Sequence, residues 1–477
     1  MSVAKDYHFG TRHDPAAMGT GSIWRWRPEW DKRTSLGRVE LPDPLGGKSV
    51  EMRTLWESLY PPGGIKPDPL DLGSVAGILH AAFGVTRRIG SGLDGFSFRA
   101  AASAGALYPN EVYLVSREVQ GLEPGVYRYN GIKHCLEIES EGFPGDLTGG
   151  LLAPPELGRA PAFLLVTGVP GRSALKYGDR AYRYVLMDAG HILANAMLVC
   201  AEQGLACSPM FDFIDEEVNL ALDLDGRQEF ALAVLGMGHR AEGDAAPWEA
   251  RVAQAPDPGT GGNPLIRMHT ASCLKRDEEQ VRVAFERLDA EADLPADTMV
   301  PSEVVRRRRS RREFMDIQAE ADALDTILGL QRVLLPHGTC GGPVRFAGRI
   351  LIHSLEGWEP GLYEVAAAGG LEMIREGSVI AEVARASLYQ EFVSRASLLW
   401  TAGIDMDTLE EGGTERLYRH ALLQAGMAGE GAYLAAIRSG LGACGIGAFF
   451  DDALARAVNL DPIREVLVYY VAVGSVP

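Results

Sequence analysis

The run Tyr182–His191, YRYVLMDAGH, returns in the second half of the chain as Tyr418–Met427, YRHALLQAGM. Tyr, Arg, Leu, Ala and Gly coincide at an offset of 236 residues. The same offset carries Glu123–Tyr127, EPGVY, onto Glu359–Tyr363, EPGLY, and also Glu229 onto Glu465 and Gly238 onto Gly474. A spacing held constant over so long a stretch marks an internal duplication, so the chain reads as two homologous domains. The Pro- and Gly-rich run Ala253–Pro264, AQAPDPGTGGNP, has the composition of a linker. The predicted division is residues 1–252, a linker over 253–264, and residues 265–477. Residues 1–45, which include WRWRPEW (Trp24–Trp30), read either as an arm across the other domain or as an extension covering core edges.

Each half predicts an α+β fold. Asp71–Gly84 has helical apolar spacing, whereas Glu111–Ser116 alternates like a strand. GVYRYN (Gly125–Asn130) is a short strand after a Pro-Gly turn. Tyr182–Gly204 is apolar on nearly every side, which predicts a buried central helix stopped at Gly204. Glu229–Gly238 is a near-continuous apolar strand, and the second half repeats the helix and the strand. Gly426, Gly429 and Gly431 leave room for a close helix neighbour. Charged sequence from Lys275 predicts a further helix.

With 46% hydrophobic and 23% charged residues and a net charge of -18, the composition is that of a globular protein with an acidic surface. Such a surface repels phosphate backbones, so nucleic acid is not an expected partner. Cys135, Cys200, Cys207, Cys273, Cys340 and Cys444 form no C-x-x-C pair, and no metal site is expected; reduced thiols fit a cytoplasmic protein. The polar N-terminus has no secretory pattern, and no apolar run is expected to span a membrane.

Against that charge, six of the seven residues Arg306–Arg312 are arginine. In an extended backbone Arg308, Ser310 and Arg312 point to one side. Two guanidiniums and a hydroxyl suit a phosphate, while a solvated charged segment is the plainer reading. In FRAAASAGALYPNEVYLV (Phe98–Val115), the small residues around Ser103, Ala104 and Gly105 let backbone N–H groups approach a flat ligand, and Tyr108 ends the loop. Lys176 and Tyr177, just before the central helix, could act as acid and base; an exposed lysine and a packing tyrosine are the common alternative. His191 and Asn195 are favoured as satisfied polar groups inside the helix core.

These segments together resemble the nitroreductase-like flavoproteins, and among them the SagB-type azoline dehydrogenases, which oxidise thiazoline or oxazoline rings in peptides. RRSRREF is similar to that superfamily's Arg-x-Ser-x-Arg segment, which holds the FMN phosphate. ASAGALYPNEVYLV resembles the branch's Pro-Ser-Ala-Gly-x-x-Tyr-Pro stretch along the flavin ring, with Ala102 in place of the usual proline. KYGDRAYR resembles its catalytic Lys-Tyr segment, and DYHFGTRH its N-terminal pattern. The resemblance implies two tandem FMN-dependent nitroreductase-like domains, each a mixed, mostly antiparallel sheet flanked by helices, paired as an intrachain pseudo-dimer that needs no second chain.

In that family each site draws on both subunits. At the 236 offset Lys176 and Tyr177 fall on Gly412 and Gly413, and Ser103 falls on Thr339. With the helix at Asp71 aligned to the one at Glu320, the arginine segment falls opposite TLWESLYPP in the first half. The losses are complementary, so one complete site with one FMN is expected between the domains: Arg308, Ser310 and Arg312 from the second, Ser103, Ala104, Gly105, Tyr108, Lys176 and Tyr177 from the first. Gly445 and Gly447, in GACGIGAFF (Gly442–Phe450), match the loop that approaches flavin N5, and the remaining arginines are expected to face solvent. The implied activity is oxidation of a peptide- or carrier-protein-bound azoline, with O2 reoxidising the flavin. An NAD(P)H-dependent nitro- or quinone reductase and a non-catalytic scaffold are the alternatives.

Overall fold

The computed structural model describes residues 2–15, 35–44, 46–59, 70–90, 96–152, 157–238, 249–254, 262–276, 282–284, 297–335, 348–365, 370–411 and 415–477. WRWRPEW, Thr339, Cys340, Gly412 and Gly413 lie outside them.

The first half builds a seven-stranded sheet from β1 (Gly37–Glu40), β2 (Asn110–Ser116), β3 (Gly125–Asn130), β4 (Cys135–Glu141), β5 (Ala162–Gly168), β6 (Cys207–Met210) and β7 (Phe230–Met237). Their order is β1-β4-β3-β2-β5-β7-β6. The second half uses β8 (Ile350–Ile352), β9 (Gly361–Val365), β10 (Leu371–Glu376), β11 (Leu398–Asp405), β12 (Gly442–Ile446) and β13 (Glu465–Gly474), in the order β10-β9-β8-β11-β13-β12. Apart from the edge strand β1, the two orders are the same. The register break of β5 between Val166 and Thr167 returns in β11 between Ala402 and Gly403, at the same offset. Where a mixed sheet was expected, every pairing within these two sheets is antiparallel among the described residues.

Ten helices frame the interface and the site: α1 (Val3–Gly10), α2 (Leu72–Phe83), α3 (Gly171–Tyr177), α4 (Ala181–Glu202), α5 (Asp215–Ala221), α6 (Pro264–Ala271), α7 (Pro301–Arg307), α8 (Asp322–Leu334), α9 (Arg416–Arg438) and α10 (Asp451–Ala457). Asp71 caps α2 through the Ser74 N–H at 2.7 Å. Every residue of α4 is buried, and Gly204 beyond its end has the positive φ of a helix stop. An 18-residue window within Gly171–Glu202 is apolar enough to cross a membrane by length and composition, but that window is buried inside the protein.

Helices α4 and α9 pack on each other between the sheets. A Cβ on Gly190 would overlap the Leu423 carbonyl, and one on Gly426 would overlap that of Met187. Gly190 and Gly426 are equivalent by the repeat, so they lie astride the pseudo-twofold. Gly429 and Gly431 make room for Tyr469 and Leu334, as the small-residue pattern predicts. One hydrophobic core runs through both halves, including Val185 and Ile192 with Leu422 and Met427. Each sheet adds a separate cluster on its outer face, around Phe163 and Leu165 in one half and Leu399 and Tyr470 in the other.

Paired ionic contacts repeat about the same axis. Arg180 and Arg183 reach Asp451 at 2.9 and 3.2 Å; their equivalents Arg416 and Arg419 reach Asp215 at 2.7 and 2.8 Å. Burial opposes ionisation of both carboxyls, but the arginines outweigh it and hold them below the usual carboxylate range. The lead helices cross over too. His8 of α1 meets Tyr418 at 3.0 Å, His269 of α6 meets Tyr182 at 3.2 Å, and Glu415 accepts the N–H groups of Val3 and Ala4. Residues 2–15 thus touch both halves, Glu415 and Tyr418 in the second and Asp179 and Arg183 in the first.

The strand Glu249–Gln254 reaches past residue 252 and pairs with Leu274–Arg276 and Arg282–Ala284, while residues 255–261 of the expected linker lie outside the described residues. The described part of the charged stretch from Lys275 is therefore strand rather than helix, as strand pairing overrides its helical composition. A Val at Gly190 or Gly426 should force α4 and α9 apart. Chemical denaturation should show a loss of about 3 kcal/mol; an unchanged midpoint would count against the crossing.

Candidate functional site

The C-terminal end of α3, the loop Ala102–Gly105, α4, the segment after α7, α9, β12 and β13 converge on one cavity between the halves. Segment 308–312 is extended because α7 ends at Arg307 and Ser310 bridges to Ala443 of β12. Ser310 and Arg312 therefore face the cavity and are exposed, while from the first half Ser103, Ala104, Gly105 and Tyr177 line it. Gly445 and Gly447 complete the rim. Eight of the eleven expected positions thus share one cavity.

The other three stand differently. Arg308 is buried behind the cavity, where its Nε donates to the Ala100 carbonyl at 2.5 Å and its Nη1 has no partner. Its guanidinium lies 5.3 Å from the ring of Tyr433, which lines the cavity. Arg308 therefore holds the base of the Ser-Ala-Gly loop. Tyr108, at φ +47°, sits off the cavity; its hydroxyl accepts the Arg99 N–H at 3.0 Å. Lys176 is exposed and points its Nζ at Gly105, where a Cβ would come within 2.8 Å of it. Arg309, expected in solvent, instead clasps Thr86 of the first half. The Gly445 N–H donates to the Tyr433 hydroxyl at 2.6 Å.

Sequence reasoning missed Asp188. It lies on α4, 5% exposed, and accepts from Ser103 Oγ at 2.6 Å and from the Ala104 N–H at 3.1 Å. Ser103 Oγ in turn accepts the Tyr108 N–H. Burial raises the Asp188 carboxyl to about 7 despite these bonds. An acid in the middle of a long, mostly apolar helix was the available signal, because burying a charge is costly. Tyr184, Tyr433 and Tyr469 were also missed, as buried tyrosines look like core in a sequence. His191, favoured as a satisfied core group, does have partners, but it also lines the cavity; both polar atoms of Asn195 lack one. Burial, then Tyr184 and Asp188, push Tyr177 up to about 12, partly offset by Arg312.

Among the described residues, the repeat-related position on the other side carries larger side chains. Gly445 and Gly447 become Pro209 and Phe211, and Tyr184 becomes His420. Phe211 packs on the His420 ring at 5.6 Å, and its carbonyl accepts from Arg416. His420 stands 3.0 Å from Asp212, out of line for a hydrogen bond. On the open side a groove of about 500 Å3 adjoins the cavity at Arg312, with Arg385, Tyr389, Phe392 and Arg395 along it.

The donor set suits a flat aromatic group with an anionic tail. Tyrosines form the walls, cation and hydroxyl stand at one end, and glycines keep the rim free of side chains. Because Asp188 titrates higher in the folded chain than in the unfolded one, the folded protein loses stability as pH rises from about 4 to 7. Asp188→Asn removes that slope. Thermal melts should show the wild type gaining on the variant as pH is lowered from 7; a pH-independent difference would contradict the buried carboxyl.

The family model described as "Nitroreductase family" matches residues 65–239 and 305–475. A putative nitroreductase of Methanocaldococcus jannaschii is 34% identical over 175 residues, 36% of this chain and 83% of its own. The trifolitoxin-processing protein TfxB of Rhizobium leguminosarum is 31% identical over 183 residues, and the microcin B17-processing protein McbC of Escherichia coli 34% over 145. The matches cover 37% and 28% of this chain, and about half the length of each of those two relatives (49% and 52%). The solved structure of a putative nitroreductase from Anabaena variabilis aligns over 100% of both chains, with a TM-score of 0.77 at 25% identity. With the family's domain found once in each half and both halves folded alike, the chain belongs to the nitroreductase family.

Proposed function

We propose that the protein is an FMN-dependent oxidase that converts a thiazoline or oxazoline ring, carried on a peptide or a carrier protein, to the aromatic azole. One observation carries this reading: the Ser-Ala-Gly loop and Tyr177 of the first half meet Ser310 and Arg312 of the second around a single cavity. The peptide-processing names of TfxB and McbC support the substrate class. The groove beside Arg312 supports an extended substrate, since a lone ring would not need it.

Ser310 and Arg312 would hold the FMN phosphate, as a hydroxyl and a forked cation suit an anion. Ser103, Ala104 and Gly105 would line the ring system, with Asp188 fixing their loop. Bound FMN would accept the electron pair withdrawn from the azoline and pass it to O2. Tyr177 keeps its proton at neutral pH, so it donates a hydrogen bond and orients the ring. Lys176, exposed beside Gly105, is the member of the pair that can exchange protons with water. The tyrosine walls exclude water from the reacting bonds. With larger side chains at the opposite position, one FMN per chain is expected, and the pseudo-dimer functions without a second copy.

Aerobic incubation with a thiazoline-containing peptide should produce a loss of two mass units, read by mass spectrometry. No mass change, together with rapid anaerobic bleaching of the flavin by NADPH, would favour a nitro- or quinone reductase instead. Arg312→Ala should weaken FMN binding by about tenfold to a hundredfold, the scale of one charge-assisted hydrogen bond. Unchanged flavin retention after gel filtration would remove Arg312 from the phosphate site.

A further inference from the structure

A buried chain of polar groups ends at the floor of the cavity. Glu430 of α9 is fully buried, and its Oε2 lies 2.5 Å from His191 Nδ1 on α4. His191 Nε2 lies 3.1 Å from the Tyr469 hydroxyl on β13. Both His191 and Tyr469 line the cavity. A Cβ on Gly445 would overlap the Tyr469 hydroxyl, so the absence of a side chain there is what lets this hydroxyl stand at the rim strand.

The direction of the chain follows from its donors and acceptors. As a carboxylate Glu430 can only accept, so His191 carries its proton on Nδ1. Nε2 is then an acceptor, and the Tyr469 hydroxyl donates to it. The other charged or titratable neighbours are few. Arg308 Nε stands 3.7 Å from Glu430 Oε1, the Tyr433 ring centre is 6.0 Å from that of His191, and Asp188 is one turn earlier on α4.

The repeat supplies a second, independent observation. At the 236 offset Glu430 corresponds to Ala194, His191 to Met427 and Tyr469 to Ala233. All three members are apolar on the other side. A purely structural polar cluster would serve either half of a pseudo-symmetric core equally well, and burying one is costly unless it is used. This one occurs only where the cavity is.

We propose that Glu430, His191 and Tyr469 form a proton relay, in which the Tyr469 hydroxyl exchanges a proton with the ligand in the cavity and His191 stores it. The inference rests on the reading of the cavity as an oxidase site. When a proton arrives, the ligand's bond to it breaks and a new Tyr469 O–H forms. The original Tyr469 proton moves to His191 Nε2, and the imidazolium is held by Glu430. No electrons move in this step. Over a whole turnover, azoline and O2 give azole and hydrogen peroxide, so the proton released by the ring is consumed again by the oxidant. Lys176, being exposed, exchanges protons with bulk water, whereas the relay is sealed and can return the same proton. Tyr469 is the catalytic member; His191 and Glu430 act through it.

The test uses the FMN-loaded full chain labelled with 15N-histidine, with His191→Gln assigning the signal. The relay predicts the Nδ1–H tautomer at neutral pH, and its loss in Glu430→Gln. An Nε2–H tautomer in the wild type overturns it. This readout needs no substrate, so failure of thiazoline peptides to react would overturn the oxidase reading and leave the relay decided by the imidazole. With a substrate that turns over, Glu430→Gln and Tyr469→Phe should each lower kcat about a hundredfold with KM within about twofold, and flatten the pH dependence of kcat. FMN retention should stay unchanged. Wild-type kcat at every pH in both variants would contradict the relay.

Discussion

The crossing of α4 and α9 at Gly190 and Gly426 sets the distance between the two halves. Only there do the helix backbones come close enough for each glycine to rest against the other helix's carbonyls. That approach brings Asp188 and His191 of one helix to the same depth as Glu430 and Tyr433 of the other. It also places Arg180 and Arg183 within reach of Asp451, and Arg416 and Arg419 within reach of Asp215. Larger residues at the crossing would loosen both ionic locks and open the cavity floor together.

A duplicated chain starts with two equivalent sites, and here the two have diverged in opposite directions. On one side glycines, tyrosines, a cation and a carboxyl surround open space. On the other, among the described residues, Phe211 packs on His420, and Asp212 and Gln424 stand where Ala448 and Asp188 do on the open side. The ionic locks and the lead helices have kept their symmetry, because they hold the halves together. The groups around the cavity have lost theirs.

Much of this was legible in the sequence because the repeat is rigid. A single offset carries α4 onto α9, α5 onto α10, the central strands onto each other and even the register break of β5 onto that of β11. The split of site residues between the halves could be read in the same way. What escaped was depth. Alternate positions in an extended segment do point to one side, but Ser310 and Arg312 reach the opening while Arg308 is spent on the Ala100 carbonyl. Tyr433 and Tyr469 are indistinguishable from core tyrosines until the cavity is seen. Asp188 and Glu430 did leave a trace, as acids in the middle of long, mostly apolar helices. The strand at Glu249–Gln254 could not be read locally, because its pairing partners come later in the chain.

The central claim is a single composite flavin site in a pseudo-symmetric chain. The most direct measurement is the flavin-to-protein ratio of the saturated protein, by absorbance against quantitative amino-acid analysis. The account predicts one FMN per chain, lost when Ser310 and Arg312 are both replaced by alanine. A ratio of two, or full retention in that double variant, would contradict it.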